Sequence, residues 1–156
     1  MKKFLFDCGT RDVTASAGIF ALRMMIGLMM LVGHGIPKLQ GFAAAKDSFY
    51  VPDFFPLKFM SPAVSLGACI GAEFVASILI VLGLATRPAA FLLGFNMVVA
   101  AFGVHASAAW FMGQGVPVSK EPALLYLIPM IAIILSGAGV FSLDGAIYKG
   151  DKRRRW

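Results

Sequence analysis

Four apolar stretches, each long enough to cross a bilayer, fill most of this 156-residue chain, at approximately 15–37, 61–84, 88–110 and 122–141. A hydrocarbon core of about 30 Å is crossed by about 20 helical residues. Backbone inside lipid must satisfy its own hydrogen bonds, which leaves the α-helix as the element open to these stretches. The predicted fold is therefore all-α, a polytopic membrane protein built as an antiparallel bundle of four transmembrane helices. At least two of the stretches carry an ionisable residue inside the apolar run, Arg23 in the first and Glu73 in the second. Each costs roughly 2.5 to 3.5 kcal/mol on insertion scales, so each is a candidate functional residue by default.

Composition agrees with that class. The chain is 59% hydrophobic and only 14% charged, with a mean hydropathy of +0.82, whereas a soluble domain carries about 25% charged residues. The length suits one membrane domain over 1–156. The opening MKKFLFDCGTRDVT does not read as a signal peptide, because the apolar core Phe4–Phe6 is too short and no small-residue cleavage site follows.

The net charge of +6 is unevenly placed. Lys2, Lys3, Arg11, Arg87, Lys149, Lys152, Arg153, Arg154 and Arg155 fall on one side of the predicted membrane, and Lys38, Lys46, Lys58 and Lys120 on the other. Nine against four predicts that both termini are cytoplasmic. The basic tail over 146–156 then serves orientation and lipid headgroups rather than nucleic acid, for which nothing else in the chain speaks. Cys8 precedes the first span and Cys69 sits within the second, so a disulfide between them is disfavoured.

The first span is expected to end at Pro37. A loop over about 40–60 follows, with Phe42, Phe49, Tyr50, Phe54, Phe55 and Phe59. These rings either anchor the loop along the outer interface or fold back as a lid over the bundle mouth. Pro62 opens the second span at the favoured first helical position. The turn Ala85–Thr86–Arg87–Pro88 is short enough to enforce an antiparallel hairpin. Trp110 marks the end of the third span, Pro129 a kink in the fourth, and Ser142–Leu143–Asp144 a turn or cap beyond it. Gly67-x3-Gly71 and Ala68-x3-Ala72-x3-Ala76 let helices approach closely in lipid, either within the bundle or in a homo-oligomer through the second span.

On a regular helix Arg23, Gly27, Met30, His34 and Lys38 share one stripe, and Cys69, Glu73 and Ser77 share another. At 1.5 Å per residue, Arg23 is about 9 Å from the cytoplasmic end, Glu73 about 18 Å and His34 about 25 Å. Two layers follow. Arg23 and Glu73, with Asn96, form a deep layer, either an ion pair that fixes helix register or a proton relay; Arg23 could alternatively snorkel to headgroups. His34, Lys38, His105 and Glu121 converge in an outer layer. Two histidines at one depth permit axial haem ligation, but nothing else supports haem. No tight ligand spacing supports a metal site.

Three motif groups carry a family likeness. The first span reads Arg23-x3-Gly27-x6-His34-Gly35-x2-Lys38-Leu39. The second reads Glu73, then Leu82-Gly83-Leu84-x-Thr86-Arg87-x-Ala89-Ala90. The last reads Glu121-x2-Leu124-Leu125-Tyr126-Leu127, then Gly137-x-Gly139-x2-Ser142-Leu143-Asp144. In this order, over about 16–147, the chain resembles the DoxX family of small bacterial four-helix membrane proteins. The resemblance implies a multi-pass protein of the bacterial inner membrane, encoded beside redox or stress-related proteins. The family name comes from a quinone-linked oxidation system.

The function this implies is a membrane component of a redox system, with an oxidoreductase role, binding a quinone-like amphipathic ligand in the outer half of the bundle. His34, Glu121 and His105 would exchange protons or hydrogen-bond the ligand, and His34, Lys38, Glu121 and Tyr126 would line its site. With no nucleotide-binding glycine motif and no cysteine pair, electrons would come from a quinone or a redox partner protein. The alternative is a non-catalytic accessory or assembly subunit of a larger membrane complex. A transporter is less well supported, since the interrupted helix pair of a midplane substrate site is not evident.

Overall fold

The computed structural model describes residues 7–147, so the basic tail predicted over 146–156 lies almost wholly outside the described residues. Four helices account for the apolar stretches: α1 Val13–Gln40, α2 Pro62–Leu82, α3 Thr86–Val104 and α4 Glu121–Ser136. The first three, of 28, 21 and 19 residues, are long and apolar enough to cross a membrane. The fourth is apolar but has 16 residues. It stops short of the expected 141 because Gly137 and Gly139 turn to φ 80° and 74°, which glycine alone adopts readily. Contacts run α1–α2, α2–α3, α3–α4 and α4–α1, so the helices form a closed ring. Its core is made of small and flexible residues, including Ala76, Ala89, Ala90, Leu93, Met97, Met130 and Ile133.

Two other boundaries depart from expectation. Pro37 does not end α1, which continues to Gln40. A π-helical turn over Leu31–Gly35 immediately precedes the proline; it loosens the hydrogen-bond ladder where the missing N–H would otherwise be costly. The third helix ends at Val104 rather than at Trp110, through a second π turn over Ala100–Val104. A further π turn, Gly71–Val75, interrupts α2.

At the end of the ring that holds the tight α2–α3 connection, three distant segments lock together. Gly83 ends α2 in the left-handed conformation (φ 70°), and a Cβ there would lie 2.0 Å from Nη1 of Arg23. Arg23, fully buried, donates to the carbonyl of Ile80 (3.2 Å) and to that of Phe141 (2.6 Å). It thereby ties the last turn of α2 to the segment that follows α4. Asp144 does the complementary work for α3. Its carboxylate accepts from the backbone N–H of Ala85 (2.9 Å) and Thr86 (3.0 Å) and from the Thr86 hydroxyl (2.9 Å), an N-cap supplied from 58 residues away. The segment around Cys8 closes the same end, its carbonyl accepting from Gly139 N–H at 2.8 Å.

Replacing Asp144 with alanine strands three donors and the nearby arginine. We expect a loss of about 3 kcal/mol, read as a lower unfolding midpoint in detergent, with Asp144→Asn retaining part of it. Both cysteines are free thiols. Burial first, and the Asp7 carboxylate second, push the Cys8 thiol above its usual range. Less thiolate is then present near neutrality, so maleimide should alkylate Cys8 in a Cys69→Ser protein about tenfold more slowly than an unhindered cysteine. The rate should rise with pH above the ordinary thiol range.

Candidate functional site

The π turns decide which side chains face the interior at the other end of the ring. Along α1 the buried positions Ser16, Arg23, Gly27 and Met30 keep helical spacing. Regular continuation would bury His34. The extra residue of the Leu31–Gly35 turn instead makes Gly35 the buried position and leaves His34 exposed, with Lys38 half-buried one turn further on. Gly35 is required there: a Cβ would sit 2.7 Å from the Glu73 carbonyl oxygen and 2.9 Å from the Phe74 Cα. The α1 and α2 backbones touch at this point, within the π turn that presents Glu73.

Glu73 is 3% exposed and ends in a compact polar cluster. Lys38 Nζ lies 2.5 Å from both carboxylate oxygens. Asn96 Nδ2 of α3 donates to Oε1 at 3.0 Å, and the Cys69 thiol donates to the same oxygen at 3.3 Å. Lys38 also reaches the Cys69 sulfur at 3.5 Å and Asn96 reaches it at 3.7 Å. The expected Arg23–Glu73 pair is thus not formed. Arg23 bonds to the carbonyl of Ile80, seven residues past Glu73 on α2, about 10 Å further along the helix. Carbonyls within its reach take its two terminal nitrogens while Nε has no hydrogen-bond partner, and Glu73 pairs instead with Lys38, further along α1.

Above this cluster lies a cavity of about 490 Å³. Lys38, Cys69, Glu73 and Asn96 form its polar floor, and Ala68, Ala72, Leu92, Phe95, Val99 and Ala100 its apolar walls. The α1–α2 loop covers it with Phe49, Tyr50, Pro52, Leu57 and Met60. Tyr50 fastens that cover twice. Its carbonyl accepts from the Ser65 hydroxyl at 2.7 Å, and its own hydroxyl fills the space a Cβ on Gly103 would take. Phe54, Phe55 and Phe59 of the same loop point outward and are 43%, 77% and 74% exposed. One face of the loop thus covers the cavity, and the other is exposed.

The remaining candidates separate. His105 lines the cavity. His34 lies outside its lining and meets Tyr126 edge to face, ring centres 5.8 Å apart. Glu121 accepts from the backbone N–H of Met112 at 2.7 Å and so holds the α3–α4 loop, which Lys120 also braces by lying over the Trp110 ring at 4.9 Å. His34, His105 and Glu121 are accordingly not gathered around one space. The two expected layers merge instead: Lys38 and His105 from the outer one join Glu73 and Asn96 from the deeper one. Cys69 is the member the site reading omitted, although its i, i+4 spacing to Glu73 was its signal. Among the described residues no three His, Cys, Asp or Glu side chains are grouped as metal ligands. Gly67 and Gly71 of the small-residue stripe face open space, since a Cβ on either meets nothing within 4 Å.

A buried ion pair loses more when one partner is removed than when both are. Lys38→Met should therefore destabilise the protein by about 2 to 4 kcal/mol, while Lys38→Met with Glu73→Gln should recover at least half of that loss. Thermal unfolding of the two single variants and the double variant in one detergent measures the coupling.

The chain belongs to the DoxX family, whose model matches residues 18–106, a stretch that takes in α1 from Gly18 onward, all of α2 and α3, and the whole polar cluster. Two proteins of Haemophilus influenzae, both named only as uncharacterized, are similar to it. One is 39% identical over 77 residues, covering 49% of this chain and 58% of that protein. The other is 25% identical over 153 residues, covering 96% of each. "Putative oxidoreductase CatD" of Bacillus subtilis is 28% identical over 138 residues, covering 86% of this chain and 90% of its own. No solved structure matches the chain.

Proposed function

We propose that this DoxX protein is a membrane-embedded component of a redox system that holds a quinone-like amphipathic ligand in the cavity above Glu73. The observation that carries the proposal is the cavity itself: about 490 Å³, apolar on its walls and closed at its floor by Lys38, Glu73, Asn96 and Cys69. Small-molecule sites have this form, a mostly apolar cleft of about 300–1,000 Å³ with a few convergent polar groups. In this reading all four helices cross the bacterial inner membrane, both termini are cytoplasmic, and the cavity occupies the outer half. The basic residues counted along the sequence support that orientation. The name of the Bacillus subtilis relative fits a redox role.

The chemistry available matches a quinone head. Lys38 and His105 can donate to a carbonyl oxygen, and Glu73 is an ionisable group at the place where reduction to a quinol requires protons. The electrons come from a partner protein, since this chain carries no flavin-type or nucleotide motif and no cysteine pair. His34 and Glu121 then act outside the ligand contact, His34 against Tyr126 and Glu121 in the loop.

A decyl-tailed benzoquinone titrated into the protein in lipid nanodiscs should bind saturably. Lys38→Met or Asn96→Leu should weaken it by about tenfold, the value of one neutral to charged hydrogen bond, while His34→Ala should leave affinity within about twofold. Absence of saturable binding by the parent protein would falsify the assignment.

A further inference from the structure

The cavity is roofed at its end but open at its side. From the π turn down to Leu82, α2 packs against α3, while its first segment, Pro62–Ile70, makes at most marginal contact with α3. The two helices therefore splay towards the covered end. Ala68 on α2 and Leu92 and Phe95 on α3 line the cavity and are exposed, Leu92 at 54% and Phe95 at 43%, and Phe95 continues the helical stripe of the exposed Phe91, Val98 and Phe102. The residues at the rim are apolar, and both helices that form it are long and apolar enough to lie across a membrane. Water is met at the end that Tyr50 fastens, and lipid at the side that stands apart.

We infer that the site is loaded sideways from the bilayer, through the cleft between α2 and α3, by a membrane-dissolved amphiphile with a compact uncharged head and an apolar chain. The chain would lie along Ala68, Leu92 and Phe95 while the head meets Lys38 and Asn96. This rests on the ligand reading above and narrows it. Charge selects the head. Lys38 and Glu73 already neutralise one another, so the floor offers hydrogen bonds but no unbalanced cation. A phosphate or carboxylate head would bring a second negative charge against Glu73, in a low-dielectric space where like charges repel strongly. Phospholipids and fatty acids, the commonest bilayer amphiphiles with anionic groups, are thereby disfavoured.

Cys69 on the cavity floor reports the route directly, independently of whether any quinone binds. In a Cys8→Ser protein it is the one remaining thiol, because the chain has two cysteines. The protein in nanodiscs would be exposed either to a maleimide on a long alkyl chain, which partitions into the bilayer, or to a sulfonated methanethiosulfonate, which stays in water. Intact mass would follow labelling. We expect the alkyl maleimide to modify Cys69 at least about tenfold faster, relative to each reagent's rate on an unhindered thiol in the same phase. Ala68→Trp and Leu92→Trp, one on each rim, should each slow it by about tenfold, with the unfolding midpoint of each variant checking that the bundle is intact. Tyr50→Ala should raise labelling by the charged reagent alone. Comparable rates with the two reagents, no labelling by either, or rates unmoved by both tryptophans in folded protein would overturn lateral loading. Lateral labelling without binding of the decyl benzoquinone would remove the quinone assignment and leave the route standing.

Discussion

Taking the Glu73 carboxylate out of water costs several kcal/mol unless charge and hydrogen bonds replace the solvent, and three helices are arranged to supply them. Lys38 arrives from α1, Cys69 from one turn earlier on α2, and Asn96 from α3. Lys38 reaches Glu73 because α1 and α2 meet at van der Waals distance, which Gly35 permits by having no side chain. The cluster thus dictates the spacing of the helices around it. Its neutrality matters as much as its position. A lone carboxylate would make the space above it a cation site, whereas the paired one leaves an apolar cavity with a hydrogen-bonding floor.

Arg23, 0% exposed, is accommodated differently. Among the described residues no carboxylate lies within salt-bridge distance of it; it bonds to carbonyls of Ile80 and Phe141, with the buried Asp144 adding a favourable field across the same junction. The Ile80 carbonyl also accepts from the Gly83 N–H at 3.2 Å, so Arg23 adds a second donor at the end of α2. Arg23 and Asp144 together cap the end of α2 and the start of α3, so that the motif Leu82-Gly83-Leu84-x-Thr86-Arg87 and the motif Gly137-x-Gly139-x2-Ser142-Leu143-Asp144 prove to be two halves of one lock. Their work is structural, and it is done at the end of the ring away from the cavity.

How much of this was legible in the sequence depends on the range of the interaction. The helices were legible because hydropathy over about 20 residues is a strong signal, and the tight α2–α3 turn because four residues leave no other course. The ionisable residues stand out against the apolar runs, but their pairing does not. A depth count assumes unbroken helices at 1.5 Å per residue, and it left Arg23 and Glu73 close enough for a long side chain to bridge. The side chain found carbonyls first. The placement of His34 failed for a sharper reason. Stripe analysis carries a fixed 100° per residue, and a single π turn over Leu31–Gly35 displaces everything after it by about one residue. No composition or spacing around Leu31–Val32–Gly33–His34–Gly35 distinguishes such a turn from ordinary helix. Glu121 was misjudged by proximity to a helix start, since the Met112 N–H that it accepts belongs to a loop whose path the sequence does not reveal.

The distribution of irregular backbone separates the two ends by role. Each π turn gives up regular hydrogen bonding, and inside a membrane such departures persist where protein or a cavity surrounds them rather than lipid. Of the three turns, Gly71–Val75 and Ala100–Val104 contribute residues to the cavity lining, and Leu31–Gly35 precedes Lys38, which also lines it. The first brings Gly35 against α2 and rotates Lys38 inward. The second carries Glu73. The third holds Gly103, against which the Tyr50 hydroxyl seats the roof. A bundle selected for stability alone would place its irregular turns wherever packing happened to demand them, and would fill the space above a buried ion pair with side chains. Here the π turns gather at the end that holds Glu73, while the irregular backbone around Arg23 and Asp144 is of another kind, the left-handed residues Gly83, Ala85, Gly137 and Gly139, each with its N–H bonded. Irregular turns of this kind concentrate at sites that bind, which supports the proposed ligand site at Glu73 over one at Arg23.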